Sequence, residues 1–288
     1  MKRIKLIASL TLVLFSLQTT ALAWGDTGHM TVAQVAFDNL SPAEKARVNE
    51  LAALIQFEDK EYEFVTSACW MDDIRDSPMF EPLKDWHFIT QRYIINNAVP
   101  DEPPPPVNAA SIITWLKNRI KSNDEPDLKK AYYLAELTHL VGDIHQPLHT
   151  VTRYTVDEKG GDRGGNFFLL AETAPRKNLH SYWDAAGGGF GFRDISRPLT
   201  DSGRTKLQKF ASNFESGFPK SSMAGEINNL DPMEWAKEGK ALGISQVYQG
   251  IQEQDVPSQT YQTNAQKVSA RRIALAGYRL AAILRQAL

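Results

Sequence analysis

The chain has 288 residues, 42% of them hydrophobic and 23% charged, with a formal net charge of −2. That length is enough for one large domain with its own core, and the slight acidity excludes capture of nucleic acid by a broadly basic surface. The one cysteine, Cys69, cannot close an intramolecular disulfide, and between Ala68 and Trp70 it reads as a small buried hydrophobe.

The first signal along the chain is for export. Lys2, Arg3 and Lys5 precede an apolar run from Leu6 to Leu17, and Ala21-Leu22-Ala23 is a small-x-small cleavage site. Cleavage after residue 23 is expected to release a secreted or periplasmic protein, residues 24–288, that begins at Trp24. No later stretch is apolar for long enough to span a bilayer, and no linker or repeat divides the remainder, so one domain is expected.

Helical patterns dominate the rest of the chain. Ser41-Pro42-Ala43-Glu44 is a capping box with proline at the first helical position, ahead of Val48, Leu51, Leu54 and Ile55 at helical spacing. Residues 100–106 read as a stiff polyproline connector. Asn108 is placed to cap a helix whose Ile112, Ile113, Trp115, Leu116 and Ile120 form an apolar stripe. Asp127 opens another through Leu128, Tyr132, Ala135 and His139 to Asp143. Glycines 160, 161, 164 and 165 mark a loop, and residues 166–170 are the one short run with extended character. Asn178 to Ala185 reads as a short helix ended by Gly187-Gly188-Gly189. In the last helix Ile273, Ala276, Leu280, Ile283, Leu284 and Leu288 share a face, with Arg271, Arg272, Arg279 and Arg285 on another. The expected fold class is all-α, one mainly helical domain with room for a small β-hairpin.

Five of the six histidines fall in an ordered series with aspartates: His29, Asp72, His87, His139-x3-Asp143, His149 and His180-x3-Asp184. A four-residue interval puts two side chains on one helix face, one turn apart. A single such pair is as readily a plain hydrogen bond; two, with three further histidines, point to zinc, which takes imidazole and carboxylate. Arg75, three residues after Asp72, falls on the same helical face, where a guanidinium can hold charge developing on phosphoryl oxygens; its ordinary alternative is a salt bridge. His145 reads as a structural histidine, Asp73 as a cap or solvated acid, and the Asp162-Arg163 loop lacks the helix-opening lysine of a phosphate-binding loop.

The motifs Trp24-x4-His29, Ser67-Ala-Cys-Trp-Met-Asp72-Asp-Ile-Arg75, Trp86-His87-Phe88, Thr138-His139-x3-Asp143-x5-His149, Gly164-Gly165-Asn166 and Asn178-Leu-His180-x3-Asp184 resemble, in order, those of exported zinc-dependent single-strand nucleases of the S1/P1 type, which share a superfamily with bacterial zinc phospholipases C. The resemblance implies three zinc ions per chain. Asp72, His87, His139 and Asp143 would hold one. Asp143 would bridge to a second, held by His29 and by the amine and carbonyl of Trp24. His149, His180 and Asp184 would hold the third. It further implies Arg75 and Asp72 as catalytic residues, Phe88 as a stacking platform for a base and Asn166 as a substrate hydrogen-bonding group. Thr90 departs from the fungal pattern, which has an acid two residues beyond the aromatic. The implied activity is endonucleolytic hydrolysis of single-stranded DNA and RNA to 5′-phosphates with 3′-nucleotidase action, by a monomer. The alternative is a phospholipase C acting on lipid headgroups, which carries glutamate where Asp184 stands and lacks the Gly-Gly-Asn. A zinc-storage protein without turnover is a third reading, against which Arg75 and the open ligand set argue.

Overall fold

Two helices far apart in the chain make the centre of this protein, because both are apolar or tightly packed on nearly every side. In the computed structural model, which describes residues 24–190 and 195–288, α1 (Asp26–Asp38) buries residues 27–36 without a break and α11 (Gln259–Leu284) buries fifteen residues. They cross so closely that a Cβ on Gly277 would lie 2.5 Å from Val35, so only glycine fits there. The export segment proposed for residues 1–23 lies outside the described residues.

Around this pair stand α2 (Pro42–Ala52), α3 (Phe64–Ser67), α4 (Trp70–Asp73), α5 (Ala109–Lys121), α6 (Asp127–Asp143), α7 (Leu179–Asp184), α8 (Asp201–Gly217), α9 (Ala224–Ile227) and α10 (Pro232–Leu242), the last running on into a wider turn at Gly243–Val247. The fold is mainly helical, as the periodicity predicts. The capping box of α2 forms in full: the Ser41 hydroxyl accepts from the Glu44 amide and the Glu44 carboxylate accepts from the Ser41 amide. Asn108 caps α5 in the same manner. The α5 stripe is rotated from the expected one: Ala109, Ile113, Leu116 and Ile120 are buried, while Trp115 is 44% exposed with its ring edge-on to Tyr133.

The only strands among the described residues are β1 (Arg92–Ile94) and β2 (Thr152–Tyr154), and they pair in parallel, Arg92 opposite Thr152. The expected hairpin therefore does not form; residues 166–170 contribute only an isolated antiparallel bridge between Leu169 and Asn178. Parallel pairing needs segments distant in sequence. Its consequence here is local, because it draws residues 87–94 alongside 149–154: Ile89 donates to the His149 carbonyl at 2.8 Å, and Thr152 to the Gln91 carbonyl at 3.0 Å.

The arginine face expected on α11 is a second departure. Arg272 and Arg279 are 1% and 0% exposed, because α11 is enclosed on several sides. Both pair with Glu238 of α10, at 2.7 Å each, and Arg279 also donates to His145 Nε2 at 2.9 Å while His145 Nδ1 donates to the Val141 carbonyl at 2.7 Å. Burial, and then the two guanidinium charges, hold His145 well below the usual imidazole range, so it is neutral. It is structural, as the sequence suggests, and it anchors the turn that follows α6.

Candidate active site

Helix α6 delivers the centre of the site. His139 and Asp143 lie one turn apart at its buried C-terminal end, and Gly142 between them leaves room for a third side chain: a Cβ there would sit 2.9 Å from His29 Nδ1. His29 comes from α1 and stacks on the His139 ring at 3.9 Å between centroids. His87 ends the 3₁₀ segment Pro78–His87, and Asp72 comes from α4. The two oxygens of Asp143 face different partners. Oδ1 lies 3.3 Å from His29 Nε2, whereas Oδ2 lies 3.0 Å from His87 Nδ1 and 3.3 Å from His139 Nε2.

A second cluster adjoins the first. His149 ends the 3₁₀ turn Pro147–His149, and His180 and Asp184 come from α7, whose N-terminus is capped by the Asn178 side chain accepting from the Ser181 amide. The His149 and His180 Nε2 atoms are 3.1 Å apart, and Asp184 Oδ2 is 3.6 Å from His180 Nε2. Ligand atoms thus gather in three groups, each within 4.8 Å: His29, His139 and Asp143; Asp72, His87 and His139; and His149, His180 and Asp184.

Backbone carbonyls fix the histidine tautomers. His139 Nδ1 donates to Ala68 at 2.8 Å, His149 Nδ1 to His87 at 2.6 Å and His180 Nδ1 to Gly164 at 2.7 Å. The His149 and His180 rings therefore each turn a bare Nε2 lone pair inward. Two such lone pairs facing each other at 3.1 Å, as in His149 and His180, repel unless a cation lies between them. Both oxygens of Asp72, Asp143 Oδ1 and both ring nitrogens of His29 are buried without a hydrogen bond. That donor set, neutral imidazoles plus carboxylates with lone pairs unspent, fits a divalent metal.

The electrostatics of the metal-free chain say the same. Burial holds His29, His149 and His180 below the usual imidazole range, His180 at about 3. Burial also disfavours charge on His139, but Asp143 and Asp72 overcome it and raise that ring to about 9. Asp143 is held well below the carboxylate range, its neighbouring imidazoles outweighing burial, whereas burial pushes Asp72 and Asp184 up. His139 thus answers the carboxylates with a proton while His29, His149 and His180 do not, and their lone pairs are left to a metal. EDTA treatment is accordingly expected to destabilise the fold. Withdrawing even about 5 kcal/mol, well under the ~10–16 kcal/mol typical of a structural zinc, lowers the melting temperature by roughly 10 °C or more at this chain length. A calorimetric scan unchanged after verified metal loss would contradict the coupling.

Trp24 is fully buried, its indole N–H donating to the Gly142 carbonyl at 3.0 Å, and the next amide, Gly25, donates to the Asp184 carbonyl at 3.2 Å. The residue expected to start the mature chain thus packs beside His29, Asp143 and Asp184. Arg75 Nη1 is 3.4 Å from Asp72 Oδ1, and Arg75 is one wall of a cleft of about 890 Å³ that also includes His87, Phe88, His149, Asn166 and His180. Phe88 is half-buried and Thr90 lines the same cleft. Asn166 donates its Nδ2 to the Arg163 carbonyl at 2.8 Å. Asp73 is neither a cap nor a free acid: it pairs with Arg197 at 2.6 Å, Lys60 at 3.1 Å and the Tyr62 hydroxyl at 2.8 Å, and Arg197 also holds Asp26 at 2.9 Å.

Sequence reasoning missed three contributors. Gln146 donates to Asp184 Oδ1 at 2.8 Å and accepts from the Leu148 amide, its place between His145 and Pro147 being the available signal. The Gly164 carbonyl orients His180, and Gly142 admits His29; a glycine inside a helix was the clue to the latter.

Comparison with known proteins finds nucleases. The chain is 26% identical to Nuclease S1 of Aspergillus oryzae across 99% of this chain and 97% of that protein, and 26% identical to Nuclease P1 of Penicillium citrinum across 90% and 95%. With Endonuclease 3 of Arabidopsis thaliana it shares 30% identity, over 60% of this chain and 57% of that protein. A family model described as S1/P1 nuclease matches residues 24–288, and the chain belongs to that family.

Proposed function

We propose that this chain is an exported, zinc-dependent endonuclease that hydrolyses phosphodiester bonds of single-stranded DNA and RNA to 5′-phosphate products, with 3′-nucleotidase activity and acting as a monomer. The observation that carries this reading is the buried Asp143 carboxylate, which turns one oxygen to His29 and the other to His139 and to His87, a residue of the cleft wall. Trp24, His29, Asp72, His87, His139 and Asp143 would hold two ions, and His149, His180 and Asp184 a third. Zinc held there supplies Lewis acidity, activating water near neutral pH and drawing charge from phosphoryl oxygens.

The chain's own residues supply orientation and charge. Asp72 is buried and aimed at the cluster, and Arg75 beside it places a guanidinium in the cleft wall, where it can receive charge that grows on phosphoryl oxygens. Gln146 holds Asp184 by one oxygen so that the other faces His180. Phe88 offers a half-exposed ring beside His87, positioned by the Ala109 amide donating to its carbonyl at 3.0 Å. A duplex base cannot reach such a ring, whereas an unstacked one can. Phe88→Ala is expected to weaken binding of a single-stranded oligonucleotide by about 1–3 kcal/mol, the usual worth of one stacked base. An unchanged Kd, or a collapse of the fold, would return Phe88 to a packing role.

A phospholipase C reading finds no favour in the relatives, each of which is named a nuclease or endonuclease. Incubating the zinc-loaded chain from Trp24 with single-stranded DNA, RNA and phosphatidylcholine side by side decides it. Cleavage of both nucleic acids is expected. Turnover of the lipid alone would overturn the proposal.

A further inference from the structure

The cleft does not end at the histidines. Beyond its wall lies a second hollow of about 430 Å³, and the two share Asp101, Lys159, Gly160, Arg163 and Phe167. On that shared ridge Phe167 is 49% exposed, although its neighbour Phe168 is only 2% exposed. The Arg163 guanidinium lies 5.0 Å from the Phe167 ring centroid. An exposed aromatic backed by a cation, in a cleft wall, has no part in the core.

The ridge is rigid for reasons visible in its backbone. Arg163, Gly164 and Gly165 all have left-handed φ, at 51°, 62° and 79°. This loop is held from below by Asp162, which is fully buried, accepts from the Tyr248 hydroxyl at 2.7 Å and from the Arg153 amide at 3.0 Å. The Phe167 amide donates to the Asp162 carbonyl at 3.0 Å. Gly164 is pressed so close to the Leu148 carbonyl that no Cβ would fit. Because the Gly164 carbonyl also orients His180, the ring of Phe167 is carried on the same loop as part of the catalytic cluster. A rigid aromatic face loses little conformational entropy when it binds.

We propose that Lys159, Arg163 and Phe167 form a subsite for a nucleotide flanking the scissile phosphate, its base stacked on Phe167 and its phosphate set against Arg163 and Lys159. Asp157 and Glu158 line the outer hollow alone and disfavour a phosphate there, which leaves the edge carrying Lys159 and Arg163 for it. The subsite rests on the phosphodiesterase reading of the cleft and adds that the enzyme discriminates by length as well as by strandedness. A 3′-mononucleotide fills only the ground next to the histidines, whereas a decamer reaches the ridge.

The test is the ratio of kcat/KM for a single-stranded decamer to that for a 3′-mononucleotide, measured on the zinc-loaded chain from Trp24. Phe167→Ala is expected to lower that ratio about tenfold. Phe167→Trp should keep or raise it, and Phe167→Leu, apolar but without a π face, should behave as the alanine variant does. Arg163→Ala should flatten the dependence of log KM on log salt by about 0.7 for the decamer, the share of one phosphate on a single strand. A ratio that Phe167→Ala leaves at the parental value, or that Phe167→Leu preserves, overturns the subsite while the phosphodiesterase reading stands. A parental chain that hydrolyses neither substrate overturns both.

Discussion

A version of this protein with even a short extension ahead of Trp24 is expected to fold yet lose most of its activity, on the order of a hundredfold or more, together with part of its metal. The expectation comes from where the chain enters the site. Trp24 is clamped by its indole to Gly142, and Gly25 by its amide to Asp184, so the backbone between them lies among the ligands rather than at the surface. Gly28 permits this, since a Cβ there would meet Trp24 Cβ at 2.6 Å. A free amine and its own carbonyl form a five-membered chelate, and an amide does not. Removing the extension in the presence of zinc should restore both metal and turnover. Equal activity in the extended and trimmed forms would remove Trp24 from the ligand set.

Arg75→Ala is expected to lower kcat by about a hundredfold to a thousandfold without changing metal content, as for loss of one preorganised donor to a developing oxyanion. Arg75 Nη1 lies 3.4 Å from Asp72 Oδ1, close enough for charge attraction, yet both Asp72 oxygens lack a hydrogen bond and so remain available to a metal. Metal analysis and turnover on the same preparation separate the two roles. Parallel loss of both would make Arg75 a support for Asp72 rather than a group that meets substrate.

The readable parts of this protein were those governed by local chemistry. Caps at Ser41 and Asn108 and the i, i+4 pairs on α6 and α7 depend on neighbours within a few residues, and the structure has them as expected. What the sequence did not disclose was non-local. Arg272 and Arg279 look like a solvent face until Glu238 and His145 arrive from other elements to satisfy them. Asp73 looks free until Arg197, distant in sequence, closes on it and Asp26 together. The parallel pairing of β1 with β2 joins segments sixty residues apart, and periodicity carries no information about which strand a short extended run will choose. The carbonyls that set the histidine tautomers are equally silent in a sequence, since every residue has one.

Three groups of candidate ligand atoms stand at the centre of the proposed phosphodiesterase, with both Asp72 oxygens, Asp143 Oδ1 and both His29 nitrogens buried and unspent, and everything else in the cleft depends on what they hold. The most direct measurement is a zinc titration of the metal-free chain from Trp24, with bound ions counted by native mass spectrometry and hydrolysis of a single-stranded oligonucleotide followed at each step. The expected result is about three zinc ions per chain, one for each ligand group, with hydrolysis appearing only as they bind. A chain that saturates at a single ion, or one that hydrolyses the oligonucleotide at full rate with none, would contradict it.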